Sequence, residues 1–274
     1  MSLSLAFSPC PNDTFIFHAW THGLIPDAPA TKVTYADIDV TNNAAESGAF
    51  DVVKVSYAAL PWLLGSYRLL PAGGALGHGC GPLVLTADQR GNLDGARVAV
   101  PSARSTAYLL MRLWAGGQHP ERIEVVPFAD IMPGVAAGRF DAGLVIHEAR
   151  FTFGDYGLHQ MIDLGQWWQT ATGHPIPLGA ILARRSSRPE LDPGRLAGVI
   201  RSSLDHAWAN PQASASFVAG HAQEMAAEVV RAHISLYVNE FSRDLGGAGY
   251  AAAEDLLTRA HTAGLVPKIP PLRE

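Results

Sequence analysis

Four polar stretches of the sequence directly follow short apolar runs. They read SPCPNDTF at residues 8–15, KVSY at 54–57, PSARST at 101–106 and HEAR at 147–150. Apolar runs of this length are typical of buried strands, and the polar residues would begin the helices that follow. Because ligands of open α/β sheets bind outside the carboxyl ends of the strands, these four stretches are expected to line one ligand site.

His147 is the predicted catalytic residue of this site. It follows the apolar run AGLVI at residues 142–146 and precedes Glu148. The unperturbed pKa of an imidazole lies near neutral pH, which suits a general base. Most of the 11 histidines would be surface or core residues. The position of His147 after a buried strand ranks it above the others, which fall in loop-like or helical contexts.

Ser105, Thr106 and Lys54 are candidates for holding an anion. Hydroxyl groups and unpaired N–H groups at a helix N-terminus can bind a carboxylate or phosphate, although Ser105 could equally be an ordinary helix cap. The Lys54 ammonium could pair with a substrate carboxylate or form an imine. A structural salt bridge with a nearby aspartate explains Lys54 equally well, so both interpretations stay open.

The stretch at residues 8–15 is expected to contribute Cys10 and Asn12 to the lining of the site. Cys10 stands between two prolines and has no identifiable histidine partner, which favours a small buried or cleft-lining thiol over a nucleophile. Metal and nucleotide sites find little support, because the HExxH, CxxC, GxxxxGK[ST] and strand-linked GxGxxG patterns are all absent. We therefore predict neither a metal nor a cofactor.

The composition excludes several classes of protein. Lys plus Arg number 20 against 25 Asp plus Glu, a net charge of −5 without any basic run, which argues against nucleic-acid binding. The N-terminus lacks the features of a secretory signal, and no window is apolar enough to span a bilayer. Two cysteines among 274 residues do not make a disulfide framework. We expect a cytoplasmic protein that does not enter the membrane.

Alternating strand-like and helix-like segments predict an α/β protein with two lobes, whose ligand lies in the cleft between them. The first lobe is expected at residues 1–86 and 178–274, and the inserted second lobe at 87–177. A Gly/Pro-rich tract at 71–82 interrupts the first unit, and a return strand is expected within 174–185. The predicted elements, with Asn12 or Asp13 capping the first helix, are strands at 3–7, 32–38, 50–55, 83–87, 97–100, 123–127 and 142–146, and helices at 12–20, 39–48, 56–64, 106–115, 129–137, 196–208, 224–234 and 251–263.

Three longer motifs carry a family resemblance. They are SPCPNDTFIFHAW at residues 8–20, DVVKVSYAALP at 51–61 and GLVIHEARFTF at 143–153. Together they resemble the 1,4-dihydroxy-6-naphthoate synthases of menaquinone biosynthesis by the futalosine route. The likeness continues through LGAILARR at 178–185 and YVNEFSRDLG at 237–246, so it covers essentially the whole chain.

The resemblance implies a fold like that of type II periplasmic binding proteins, a clamshell whose lobes are each a mostly parallel sheet flanked by helices. It implies a carbon–carbon lyase that converts cyclic dehypoxanthine futalosine into 1,4-dihydroxy-6-naphthoate and needs no cofactor. The base of the family corresponds to His147. The substrate-binding stretches correspond to Lys54, Val55 and Ser56 and to Ser105, Thr106 and Ala107. The oligomeric state, monomer or homodimer, stays open.

Two other functions fit the sequence less well. One is the chorismate dehydratase of the same pathway, which is similar in fold; the HEARF segment favours the naphthoate synthase. The other is a non-catalytic protein that binds a small carboxylate. Such proteins are normally exported, and the N-terminus carries no export signal.

Overall fold

The computed structural model describes residues 2–79, 81–146, 149–222 and 226–273. The strands are β1 Leu3–Phe7, β2 Thr31–Tyr35, β3 Val52–Ser56, β4 Tyr67–Gly77, β5 Leu83–Thr86, β6 Arg97–Val100, β7 Arg122–Val125, β8 Ala142–Val145, β9 His159–Asp163 and β10 Ile176–Arg184. The helices are α1 Pro11–Thr21, α2 Ile38–Glu46, α3 Leu60–Leu63, α4 Thr106–Ala115, α5 Phe128–Ala136, α6 Ala149–Thr152, α7 Leu164–Thr172, α8 Pro193–Ala209, α9 Ala215–His221, α10 Ala227–Tyr237, α11 Glu240–Arg243 and α12 Gly246–Thr262.

The strands form two five-stranded sheets with the same plan. The first has the order β2-β1-β3-β10-β4 and the second the order β7-β6-β8-β5-β9. In each sheet the fourth strand, β10 or β5, runs antiparallel to both of its neighbours. The predicted two-lobed α/β architecture is confirmed, but the sheets are mixed rather than simply parallel. Both β5 and β10 enter their sheets from the other sheet, so neither is reached by the crossover connection that joins parallel neighbours within one sheet.

Two segments differ from the sequence expectation. The Gly/Pro-rich tract is largely strand β4, whose glycines let it pair closely with β10: an added Cβ at Gly74 would lie 2.9 Å from the Gly179 carbonyl oxygen. Leu83–Thr86, expected in the first lobe, pairs with β8 and β9 in the second sheet. The division of the chain into lobes at residues 86 and 87 stays a prediction. The pairing of β5 favours placing that boundary before residue 83.

Helix α1 carries the polar stretch that follows β1. It starts at Pro11, so its cap is Cys10 rather than Asn12 or Asp13. Proline suits the first helical position because it needs no N–H acceptor and its φ is already helical. Packing against α8 and α9 buries both the apolar and the polar residues of α1. Among the described residues, no helix has the length and apolar character needed to cross a bilayer.

A group of histidines joins α1 to α9. The His18 ring lies 4.3 Å from the His22 ring and 5.4 Å from the Phe217 ring, centroid to centroid. The His221 ring also packs against Phe217, at 4.4 Å between centroids. Burial, then the neighbouring His22 and His206, lowers the pKa of His18.

This depressed pKa predicts acid destabilisation. As pH falls below the ordinary histidine pKa of about 6.5, the unfolded chain takes up a proton at His18 before the folded protein does, so the free energy of unfolding decreases. We expect His18→Phe, which keeps a ring at this position, to lose less stability between about pH 7.5 and about pH 5.5 than the wild type in urea titrations. His159→Gln, at an exposed position on β9, is the control. An undiminished loss in His18→Phe would contradict the prediction.

Candidate active site

A cavity lies between the carboxyl ends of β1 and β3 in the first sheet and the start of α4 beyond β6 in the second. It encloses about 630 Å³ of non-atom space, part of it open to solvent. We call it the inner cavity. Its lining mixes hydroxyl, amide and charged side chains with apolar ones: Ser8, Asn12, Asp13, Ile38, Lys54, Ser56, Ala75, Pro82, Ser105, Thr106, Ala107, Ile146, Leu178, Gly179 and Tyr237.

A buried ion pair crosses the floor of the inner cavity. The Lys54 ammonium, from the middle of β3, donates to Oδ1 of Asp13 on α1, and their side chains are only 4% and 2% exposed. Gly179 on β10 makes room for the lysine, because an added Cβ there would lie 2.6 Å from Lys54 Cε. The structural salt bridge is therefore the interpretation of Lys54 that the geometry favours, and its charge is already balanced within the protein.

Three further donors and acceptors complete this network. The Ser8 hydroxyl donates to Asp13 Oδ2 at 2.7 Å, and the Asn12 amide donates to Asp13 Oδ1 at 2.8 Å. Asn12 Oδ1 lies 3.0 Å from Nε2 of His233 on α10, which must carry the proton of that bond. With two strongly polar partners on one carboxylate oxygen and a hydroxyl on the other, the Asp13 carboxylate is fixed in orientation.

The start of α4 forms the opposite wall. Ser105 caps the helix, with its oxygen accepting from the Tyr108 N–H at 3.1 Å. The Thr106 hydroxyl donates to the Leu178 carbonyl at 2.8 Å and accepts from the Ala58 N–H at 3.2 Å. Both hydroxyls thus have protein partners, and the groups left for an anion are the first N–H groups of the helix, which have no intrahelical acceptor.

Ser56 offers a donor at the end of β3. The Asn42 side chain on α2 accepts from the Ser56 N–H at 2.8 Å and donates to the Ser56 oxygen at 3.2 Å. In the described part of the chain, no acceptor lies within hydrogen-bonding distance of the Ser56 hydroxyl proton. That proton is therefore available to a bound ligand.

The inner cavity brings together six of the residues that the sequence singled out: Asn12, Lys54, Ser56, Ser105, Thr106 and Ala107. Val55 does not line it, because alternation along β3 turns its side chain into the hydrophobic core. Cys10 is buried as the cap of α1 and is also absent from the lining. His147 lies outside the described residues; Ile146 before it lines the cavity, and Ala149 after it begins α6.

Contacts between α2 and the loop before α4 hold the two sheets together beside the cavity. The Ser102 hydroxyl donates to Asp39 Oδ1 at 2.6 Å. Arg104 pairs with Glu46 at the end of α2 and lies over the Trp62 ring, at 5.2 Å from its centroid. Each of these contacts joins an element of the first sheet to one of the second, so they describe a closed cleft.

A second cavity, here the outer cavity, adjoins the first. It encloses about 840 Å³ of non-atom space, part of it open to solvent, between the start of α2 and the ends of β6 and β7. It shares Ile38 and Ile146 with the inner cavity. Its walls are mainly aliphatic, with Val40 and Val125 both more than half exposed. Two carboxylates, Asp37 and Asp39, stand at its edge, which disfavours an anion there.

Sequence reasoning missed several residues of the site. The sequence suggests Asp13 only as a helix cap, although it lies in the same stretch as Asn12. Asn42 and His233 lie outside the motifs named above, and Tyr237 begins one of the family stretches but was not singled out as a site residue. Among the described residues, no group of three or more His, Cys, Asp or Glu side chains has the arrangement of a metal site.

The fold and cleft define a class of protein. The aliphatic sulphonate binding protein SsuA of Escherichia coli superimposes with a TM-score of 0.68 at 14% identity, covering 99% of this chain and 90% of its own. Protein AF1704 of Archaeoglobus fulgidus superimposes with a TM-score of 0.89 at 31% identity, covering 97% and 98%. The chain therefore has the two-lobed fold of periplasmic binding proteins.

The sequence comparisons identify the family within this class. The family model described as menaquinone biosynthesis matches residues 3–262. Proteins named 1,4-dihydroxy-6-naphtoate synthase from Streptomyces coelicolor and Thermus thermophilus are 58% and 43% identical, each aligned over 98% of this chain and over 96% and 97% of their own length. The chain belongs to the menaquinone biosynthesis family.

Proposed function

We propose that this protein is the carbon–carbon lyase that converts cyclic dehypoxanthine futalosine into 1,4-dihydroxy-6-naphthoate. The observation that carries the proposal is the 58% identity, over nearly the whole chain, to a protein with that name. The inner cavity supports it, because six of the expected substrate-binding residues share one cleft. A biosynthetic role of this kind is consistent with a cytoplasmic protein.

The substrate carries an aromatic carboxylate. In this site hydrogen-bond donors, rather than an unpaired cation, would bind it. Asp13 already neutralises Lys54, so we assign the carboxylate to the N-terminal N–H groups of α4 and to the Ser56 hydroxyl. The helix dipole favours negative charge at the same place. The buried Lys54–Asp13 pair makes the floor of the inner cavity polar, but because the two charges offset each other it does not attract a further anion.

His147 acts as the general base in this proposal. It follows Ile146, which lines both cavities, and removes a proton from the sugar-derived ring of the substrate. Fragmentation and elimination follow, a sugar-derived fragment leaves, and formation of the aromatic naphthalene ring drives the reaction. The contacts of Ser102 and Arg104 with α2 keep the cleft closed and exclude water during these steps.

Incubating the purified protein with cyclic dehypoxanthine futalosine tests the proposal. We expect a new chromatographic peak with naphthalene absorbance and the mass of 1,4-dihydroxy-6-naphthoate. A parallel incubation with chorismate is the control, and formation of a dehydrated product there would point to the chorismate dehydratase instead. Saturable binding of the first compound without a new chromophore would defeat the enzymatic proposal in favour of a binding protein.

A further inference from the structure

We propose that Arg150 is a positioning residue for the catalytic base. The inference rests on the proposed function, in which His147 removes the proton. Arg150 lies in the first turn of α6, three residues after His147 in the sequence. Its guanidinium does not line either cavity. It acts by fixing the start of α6, which follows the base by two residues in the sequence.

The guanidinium of Arg150 joins two other segments of the chain. One terminal nitrogen donates to the carbonyl oxygen of Gly81, in the connection between β4 and β5. The other donates to Asp163 Oδ2, at the end of β9, at 2.8 Å. The Arg150 and Asp163 side chains are only 16% and 11% exposed, so solvent screens this pair far less than an ion pair on the open surface.

The partners of Arg150 are themselves fixed. The second oxygen of Asp163 accepts from the N–H groups of Gly165 and Gln166, at 2.8 and 3.1 Å, and so caps α7. Gly81 touches the same turn: an added Cβ at Gly81 would lie 2.1 Å from the Gly165 nitrogen. The arginine is therefore anchored to the closely packed turn at which Asp163 caps α7.

Strand register places this anchor at the edge of the sheet that faces the cleft. Leu83 on β5 pairs with Val145 on one side and with Asp163 on the other. Val145 ends β8, and the next residue, Ile146, lines both cavities. The chain before residue 147 is thus held by the pairing of β8 in the sheet, and the chain after residue 148 is held by the contacts of Arg150.

A displaced base lowers the rate more than it lowers binding. A shift of about 1 Å in a catalytic group can cost about 100-fold in rate. Only arginine presents two parallel donors in a rigid fork, whereas lysine offers a point charge on a flexible stem. We therefore expect Arg150→Met to lower kcat by about 10- to 100-fold with KM changed by less than about 3-fold. Arg150→Lys should lower kcat less.

Arg97 provides a matched control in the same sheet. It donates to the Asp141 carboxylate at 3.1 Å and to the Gly138 carbonyl at 3.0 Å, the same pair of partner types, but at the end of β8 that is remote from the cleft. Arg97→Met is expected to leave kcat unchanged. Asp163→Asn removes the charge that Arg150 pairs with, while its amide oxygen can still cap α7. This variant should therefore also lower kcat.

The experiment measures kcat and KM for these variants with cyclic dehypoxanthine futalosine, together with their melting temperatures. Added guanidinium at low millimolar concentration should restore part of the activity of Arg150→Met and none of that of His147→Asn. If a folded Arg150→Met, or Asp163→Asn where the first variant does not fold, matches Arg97→Met in kcat, the positioning role is wrong while the proposed function stands. A wild type that leaves the substrate unchanged overturns both.

Discussion

Asparagine in place of His147 is expected to lower kcat by about 100- to 10,000-fold, the usual contribution of a general base. The amide can hydrogen-bond to the substrate but does not accept a proton at neutral pH, so binding should persist while the chemical step fails. The residues on either side, Ile146 at both cavities and Ala149 at the start of α6, lie at the cleft edge of the second sheet.

Single-turnover rates and calorimetric titration separate these two effects for His147→Asn. We expect a dissociation constant close to that of the wild type together with the large loss of rate. His159→Asn, at an exposed position on β9, controls for the loss of a histidine that has no role in the cleft. Near-wild-type turnover of a folded His147→Asn would make the assignment of the base wrong.

Removal of the Asp13 carboxylate should have the largest effect on stability. In Asp13→Ala the Lys54 ammonium stays buried on β3 without its counter-ion, and breaking a buried pair in this way costs about 3–5 kcal/mol. The free energy of unfolding from urea titration measures the effect. Ser8 and Asn12 would also lose their acceptor, which adds to the loss.

A second variant separates the unpaired charge from the loss of packing. Asp13→Ala combined with Lys54→Met removes both charges and should recover part of the stability lost in Asp13→Ala alone. Asp255→Ala removes the carboxylate that pairs with the exposed Arg259 on α12 and should cost less than about 1 kcal/mol. Equal losses in Asp13→Ala and Asp255→Ala would show that the buried pair does not have the stabilising role assigned to it.

Much of the fold could be predicted from local sequence. The bounds of Leu3–Phe7, Arg97–Val100 and Thr106–Ala115 match the prediction, because each element carries its own apolar run or helical period and its own start signal. The same holds for the single residue Ser105. A serine directly before an apolar helix is expected to cap it, because its side-chain oxygen can accept from an N–H group of the first turn.

Elements that depend on distant partners were less predictable. Strand β4 runs through a Gly/Pro-rich tract that reads as a loop, and it exists because β10 and its glycines come close enough to pair. Strand β9 has a polar sequence and was not predicted; it lies at the edge of its sheet, where burial is incomplete. In both, pairing with a remote strand outweighs the local preference.

Some features of the candidate site could likewise be predicted from local sequence, and others depend on distant contacts. Each apolar run predicts a strand, and the polar stretch that follows it predicts which residue types lie at the carboxyl edge of the sheet. Which side chain partners which depends on groups far apart in sequence: Lys54 meets Asp13 across 41 positions, and Asn12 meets His233 across 221. Local propensity carries no information about such contacts, because they form only when α1 packs beside β3 and against α10. As a result of that packing, Lys54 is one half of a buried ion pair rather than a free anion receptor, and the start of α4 and the Ser56 hydroxyl are the groups that we propose for the substrate.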